Sequence, residues 1–152
     1  MENLEKILVQ HPFFKDMSAE HVAYLAGCAA NARYDPGDFI FRNGQPANQF
    51  FLIRYGKVSL EIFVPGKGAV MIETVQEGNV MGWSWLVPPY RWHFDARALE
   101  LTRAIVMDGE CLRKKCTEDP RLGYELMSRI ARLIEERLRA TQLQLIDIYG
   151  KD

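Results

Sequence analysis

FFLIRYGKVSLEIFVPGKGAVMIET, residues 50–74, carries the strongest periodic signal in the chain. Phe50-Phe51-Leu52-Ile53 is a short continuous apolar run that leads into Tyr55-Gly56. Beyond it Val58, Leu60 and Ile62 alternate with Lys57, Ser59 and Glu61, Pro65-Gly66-Lys67-Gly68 turns the chain, and Val70, Ile72 and Thr74 alternate with Ala69, Met71 and Glu73. Successive side chains on a strand point to opposite faces, so this alternation between turn residues predicts antiparallel strands with one face on a core.

The same pattern extends in both directions. Upstream, Tyr34 precedes Asp35-Pro36-Gly37-Asp38, then Phe39-Ile40-Phe41 and Asn43-Gly44. Proline holds φ near about −65° and glycine accepts φ > 0, which is the requirement of a type II turn. Downstream, Ala96, Ala98 and residues 102–107 read as returning strands, and Asp108-Gly109 ends the β region. At the N-terminus Leu4, Ile7 and Leu8 follow helical spacing, and Ser18 stands as N-cap of a second helix carrying Val22, Leu25, Ala26 and Ala29. His11 and His21 fall near the ends of these helices, where exposure or capping is expected rather than metal binding.

After a short helix over 111–116, Pro120 opens a long one whose apolar positions Met127, Ile130, Ile134, Leu138, Thr141, Leu145 and Ile148 step by three or four. Arg129, Arg132, Glu135, Glu136 and Arg139 lie on the other side, while Leu126, Leu133 and Ile146 widen the apolar stripe. That surplus predicts a helix, 120–149, that packs against a second copy, giving a homodimer. The expected fold is α+β and mainly β: an antiparallel double-stranded β-helix or jelly roll with short N-terminal helices and a long C-terminal helix.

With 152 residues and 48% hydrophobic content the chain supports one domain. It is read as N-terminal helices over 1–30, a β-roll over 31–108 with a loop at 78–95, and C-terminal helices over 109–152. A net charge of −1 gives no global attraction to nucleic acid or anionic lipid. No apolar run approaches the roughly 20 residues of a membrane span, and MENLEKILVQ lacks the basic start and apolar core of a signal peptide. A soluble, cytoplasmic protein is expected. Cys28, Cys111 and Cys116 are then expected to be buried, reduced thiols, and the last two are poorly spaced for zinc.

Residues 78–98, GNVMGWSWLVPPYRWHFDARA, are longer and more aromatic than a plain connection requires. They suggest a built cavity. No nucleophile–base arrangement, metal-ligand spacing or phosphate loop accompanies them, and Ser84 lacks the second glycine of a Gly-x-Ser-x-Gly elbow, so an enzyme is not indicated. Ser84 is expected to cap a short loop helix or bond a ligand.

The order of elements, the Pro36-Gly37-Asp38 turn, the segment Phe51-Leu52-Ile53-Arg54-Tyr55-Gly56-Lys57-Val58 and the flanking Gly78 and Gly82 resemble the cyclic-nucleotide-binding domain family. Catabolite-activator regulators and the regulatory subunits of cyclic-nucleotide-dependent kinases belong to it. The resemblance implies a regulatory module and a cyclic nucleotide or related ligand, with no other cofactor. It also implies a phosphate-binding cassette in the 78–95 loop, where a short helix and a glycine approach the ligand, a glutamate holds the ribose and an arginine pairs with the phosphate. Gly82 takes the glycine position, Trp83 the glutamate position and Trp92 the arginine position, with Arg91 and His93 on either side of it. Hydrogen bonds to charged groups contribute roughly 1.5–3 kcal/mol each, so losing both anchors costs several powers of ten in affinity at roughly 1.4 kcal/mol per power.

Two readings stay open. In the first, a dimeric sensor binds a nucleotide-like or other planar ligand through Gly82, Trp83, Ser84, Trp85, Leu86, Arg91, Trp92 and His93, and signals through the long helix. In the second, the aromatic rings fill the cavity and the domain serves dimerisation or docking to a separate regulatory protein. For haem, only His93 stands out as a loop ligand, and the lack of an N-terminal cysteine cluster argues against an iron–sulfur centre. The long helix has no basic stripe, so direct DNA binding is not expected.

Overall fold

The computed structural model describes residues 3–150. It divides into two compact units, with the break between Lys115 and Cys116. In the first unit, α1 (Leu4–Gln10), a 3-10 turn (Pro12–Phe14) and α2 (Ala19–Ala26) precede the strands. Ser18 caps α2 as expected, its Oγ accepting from His21 N–H at 3.1 Å. His11 also caps, with Nδ1 accepting from Phe13 N–H at 3.2 Å. It is only 6% exposed, and its Nε2 lies 3.2 Å from the Ile53 carbonyl.

Among the described residues, eight strands form two antiparallel four-stranded sheets. They are β1 (Ala29–Tyr34), β2 (Phe39–Phe41), β3 (Gln49–Tyr55), β4 (Lys57–Val64), β5 (Gly68–Gln76), β6 (Val80–Met81), β7 (Asp95–Ala98) and β8 (Thr102–Asp108). One sheet runs β1-β8-β3-β6 and the other β2-β7-β4-β5, so neighbours in sequence are often parted, as in a roll. Asp38 N–H donates to the Asp35 carbonyl at 3.0 Å and Gly37 has φ of 91°, the left-handed conformation that the type II reading requires. Phe41, Phe51, Ile53, Val58, Leu60 and Val75 meet between the sheets as the core.

Two expectations need correction. The apolar alternation of β4 and β5 outruns the core: Val58 and Leu60 are buried, but Ile62, Val70 and Ile72 are 38%, 37% and 45% exposed. The hairpin overhangs the roll, and the register shifts between Leu60 and Glu61. This irregularity breaks the strict two-residue pairing. The cysteines are not all reduced thiols: Cys28 and Cys111 form a disulfide, their Cα atoms 5.7 Å apart. The α2–β1 junction and the start of α3 bring them together, a proximity that sequence spacing does not encode.

The helix α3 (Gly109–Glu118) follows β8 directly, and Asp108 Oδ1 accepts from Cys111 N–H at 2.9 Å at its start. Lys115, on the same helix, donates to the Tyr24 carbonyl and lies over the Tyr24 ring. In the second unit, α4 (Pro120–Tyr149) starts where expected: proline occupies the first turn, and Asp119 caps it through a bond from Leu122 N–H at 3.2 Å. Leu122, Leu126 and Ile130 are buried, whereas Ile134, Leu138, Leu145 and Ile148 are exposed. No helix among the described residues is long and apolar enough to cross a membrane.

Candidate functional site

The segment after β6 is built as a one-turn 3-10 helix, Ser84–Leu86, followed by a Pro88-Pro89 cis peptide and Tyr90 in a left-handed conformation at φ 55°. Ser84 does not cap this helix. It is the first helical residue, and the preceding Trp83 makes no side-chain capping bond. Trp85 is fully buried, its ring tilted against Phe50 at 5.8 Å between centroids. Gly109 backs it: a Cβ there would stand 2.8 Å from Trp85 Cβ. The short helix is therefore pinned from beneath by packing, with Trp83, Ser84 and Leu86 half-buried around it.

Residues 90–92 then run beside 44–47. Ala47 N–H donates to the Tyr90 carbonyl at 2.7 Å, Trp92 N–H to the Gln45 carbonyl at 3.0 Å, and Gly44 N–H to the Trp92 carbonyl at 2.8 Å. Arg91 is bridged to Pro46 within this ladder. Extended backbone alternates its side chains, so fixing Trp92 inward sends Arg91 and His93 outward. Trp92 is 3% exposed and stacked on Phe41, with centroids 3.9 Å apart and planes at 13°. Phe51 and Phe94 complete the cluster around these two rings. Arg91 is exposed and donates through Nη1 to the Gly44 carbonyl at 2.9 Å, and His93 is exposed beside it.

Gly82 has φ of 84°, and a Cβ added there would come within 2.8 Å of the Trp92 ring. The glycine that the resemblance assigns to close ligand approach is here closely approached by the tryptophan. Arg97, on β7 just after this segment, is a further guanidinium, and it is already engaged: Nη2 lies 2.7 Å and Nε 3.2 Å from Glu61 Oε2. Its hydrogen bonds hold the nearly inaccessible Glu61 carboxyl below the usual carboxylate range, so this ion pair persists at neutral pH.

Sequence reasoning missed Arg113. From α3 its Nη1 donates to the Trp85 carbonyl at 2.6 Å, and its guanidinium lies over the Tyr90 ring at 4.4 Å. In the sequence it stands in Leu112-Arg113-Lys114-Lys115, where it looks like any solvated helical charge. It also missed Phe41 as the stacking partner of Trp92, because the two residues lie on separate segments joined only by tertiary packing.

The profile of the cyclic nucleotide-binding domain family matches residues 32–119. A solved structure named as a cyclic nucleotide-binding protein of Geobacter metallireducens is similar, with 28% identity, a TM-score of 0.77, and coverage of 91% of this chain and 99% of that one. The chain is 24% identical to a protein named as a potassium channel protein of Rhodopseudomonas palustris, over 92% of this chain and 33% of that one. It is 23% identical to a CRP-like cAMP-activated global transcriptional regulator of Mycobacterium tuberculosis, over 98% of this chain and 65% of that one. The chain thus spans a third of the first of these two curated relatives and just under two thirds of the second.

Proposed function

The chain belongs to the cyclic nucleotide-binding domain family, and on that premise we propose that it is a regulatory module whose β-roll is filled by its own Trp92 and whose output is association of α4 with a second copy. Domains of this family are non-enzymatic regulatory modules. The carrying observation is Trp92 itself, buried and stacked on Phe41 at the position where the resemblance puts the phosphate-binding arginine. Trp83 stands for the ribose glutamate, and Glu61 already holds Arg97. A cyclic phosphate entering there would meet rings rather than a guanidinium, and desolvating its charge without a partner is unfavourable.

Residues 1–152 act in this reading as one functional domain in the cytoplasm. The exposed Ile134, Leu138, Leu145 and Ile148 of α4, with Thr141 between them, step by four and three, the seam of a two-stranded coiled coil. A symmetric pairing would remove this stripe from water. Arg113 provides the mechanical link, since it joins the cassette-like segment to the helix that leads through Asp119 into α4. A separate regulatory protein would then read the paired helices, without direct DNA contact by this chain.

A second reading rests on the exposure of Arg91 and His93. A planar anionic ligand would meet those two residues at the rim, with Gly82, Trp83, Ser84 and Leu86 behind them and Trp85 and Trp92 as the floor. Calorimetric titration with cyclic AMP and cyclic GMP separates the two. The self-filled module gives no saturable heat, whereas saturable binding that Arg91→Ala weakens establishes the rim site instead. Sedimentation is expected to show a dimer that Leu138→Glu converts to a monomer, and a monomeric wild type would remove α4 from the mechanism.

A further inference from the structure

Cys28 and Cys111 are joined where α2 gives way to β1 and where β8 gives way to α3. The bridge is not sealed into the core. A cleft of about 450 Å³ opens on it, lined by both cysteines together with Asp108, Glu110 and Lys114. Asp108, Glu110 and Lys114 are all exposed, so the cleft is reached from water. The two cysteines are unequally placed: Cys28 is 7% exposed, whereas Cys111 is half-buried.

The backbone around both cysteines is held by bonds that do not involve sulfur. Cys28 N–H donates to the Leu25 carbonyl at 2.9 Å, and the next residue, Ala29, pairs with Met107 in the β1–β8 register. Asp108 ties the two sides together. Its N–H donates to the Cys28 carbonyl at 2.9 Å, and its Oδ1 accepts from Cys111 N–H at 2.9 Å. Opening the sulfur–sulfur bond leaves all of these in place, so the freed thiols stay close enough to close again.

We propose that the Cys28–Cys111 bridge is a thiol–disulfide exchange site of the folded protein, with a dithiol as its substrate. Exchange needs a thiolate that can reach one sulfur of the bridge, and the cleft gives that access on the side of Cys111. One thiolate of the dithiol attacks Cys111 Sγ, a mixed disulfide forms there, and Cys28 leaves as a thiolate. The second thiol of the reductant then attacks its own sulfur in the mixed disulfide and releases Cys111. The dithiol ends as a disulfide, and its two protons end on Cys28 and Cys111, so atoms and electrons balance. A monothiol does less. Its mixed disulfide on Cys111 faces a Cys28 thiolate held in place by Asp108, which expels it and restores the bridge.

The probe is dithiothreitol, added to the full oxidised chain without denaturant, with glutathione as the monothiol control. Freed thiols are trapped by alkylation and mapped by mass spectrometry, with Cys116, already a free thiol, as the internal reference. Labelling of Cys28 and Cys111 should grow at a rate proportional to dithiothreitol concentration. A rate that levels off at that of global unfolding would mean that only the unfolded chain is attacked, and would overturn the proposal. At equal thiol concentration glutathione should give about tenfold less reduced protein, because its second step is not intramolecular; equal reduction by the two would also overturn it. The side of attack is read from single variants. Cys111 in Cys28→Ser should form a mixed disulfide with oxidised glutathione about tenfold faster than Cys28 in Cys111→Ser, in line with thiol access, and equal or reversed rates would rule out entry through this cleft. The wild-type kinetics stand without either variant, should one of them fail to fold.

Discussion

Trp92 is held by backbone bonds on a segment whose neighbours face water, so its removal leaves a hole that Arg91 and His93 cannot turn inward to fill. Trp92→Ala should therefore cost about 3–5 kcal/mol, read as a lowered denaturation midpoint, while Arg91→Ala stays within about 0.5 kcal/mol, as surface substitutions do. Equal effects of the two would show that the ring is not part of the core. His11 has a separate role. Burial lowers its pKa below the ordinary 6.5, partly opposed by the bond to the Ile53 carbonyl. Above pH 6.5 the ring is neutral both folded and unfolded; below it the unfolded chain takes the proton first, so stability falls as pH drops toward the lower folded value. His11→Gln should be less stable at neutral pH and show a flatter stability profile just below pH 6.5, measured by denaturant titration across that range.

At the scale of elements, α3 carries the contact that restrains the 3-10 helix. Arg113→Ala should speed amide hydrogen exchange over 85–90 and leave β3 and β8 protected; unchanged exchange there would mean that packing of Trp85 alone restrains the segment. Which elements were readable follows from how local their determinants are. Ser18 and Pro36-Gly37 specify a cap and a turn through bonds within three residues, and the structure has both where the sequence implied; Pro120 likewise opens α4, with Asp119 as a cap that the sequence reading had not named. The facing of Val58 and Leu60 was readable for the same reason, but alternation says which way a side chain points and not how far the core reaches. Ile62 and Val70 therefore look the same in sequence as their buried neighbours. The inward placement of Trp92 was not readable either, because it depends on pairing with 44–47, a tertiary register fixed by Gln45 and Ala47.

At the scale of the whole molecule, the Cys28–Cys111 disulfide closes a loop across a sequence separation of 83 residues that contains every strand. Sequence reasoning placed both as reduced thiols because their approach is made only by the completed roll. In the chain-entropy account a loop of that length is worth about 4.5 kcal/mol, so dithiothreitol should lower the melting temperature of the wild type and leave that of Cys111→Ser unchanged. Insensitivity of the wild type to the reductant would mean that the bond is absent or contributes nothing. Burial, and then Asp119, push the Cys116 thiol up, so it stays protonated and is a poor nucleophile for exchange with the bridge.

The same bridge changes how the protein carries load. Tension applied between the N-terminal helices and α4 would pass from Cys28 to Cys111 through the sulfur atoms, and the strands between them would lie outside the path of the force. Oxidised, the chain can release only the contour outside the ring. Reduced, it should yield roughly a further 280 Å, at about 3.4 Å for each residue of the 83-residue separation. A force-extension trace that showed that extra length before reduction would mean that the shackle is open, and the roll would then be mechanically exposed to whatever pulls on α4.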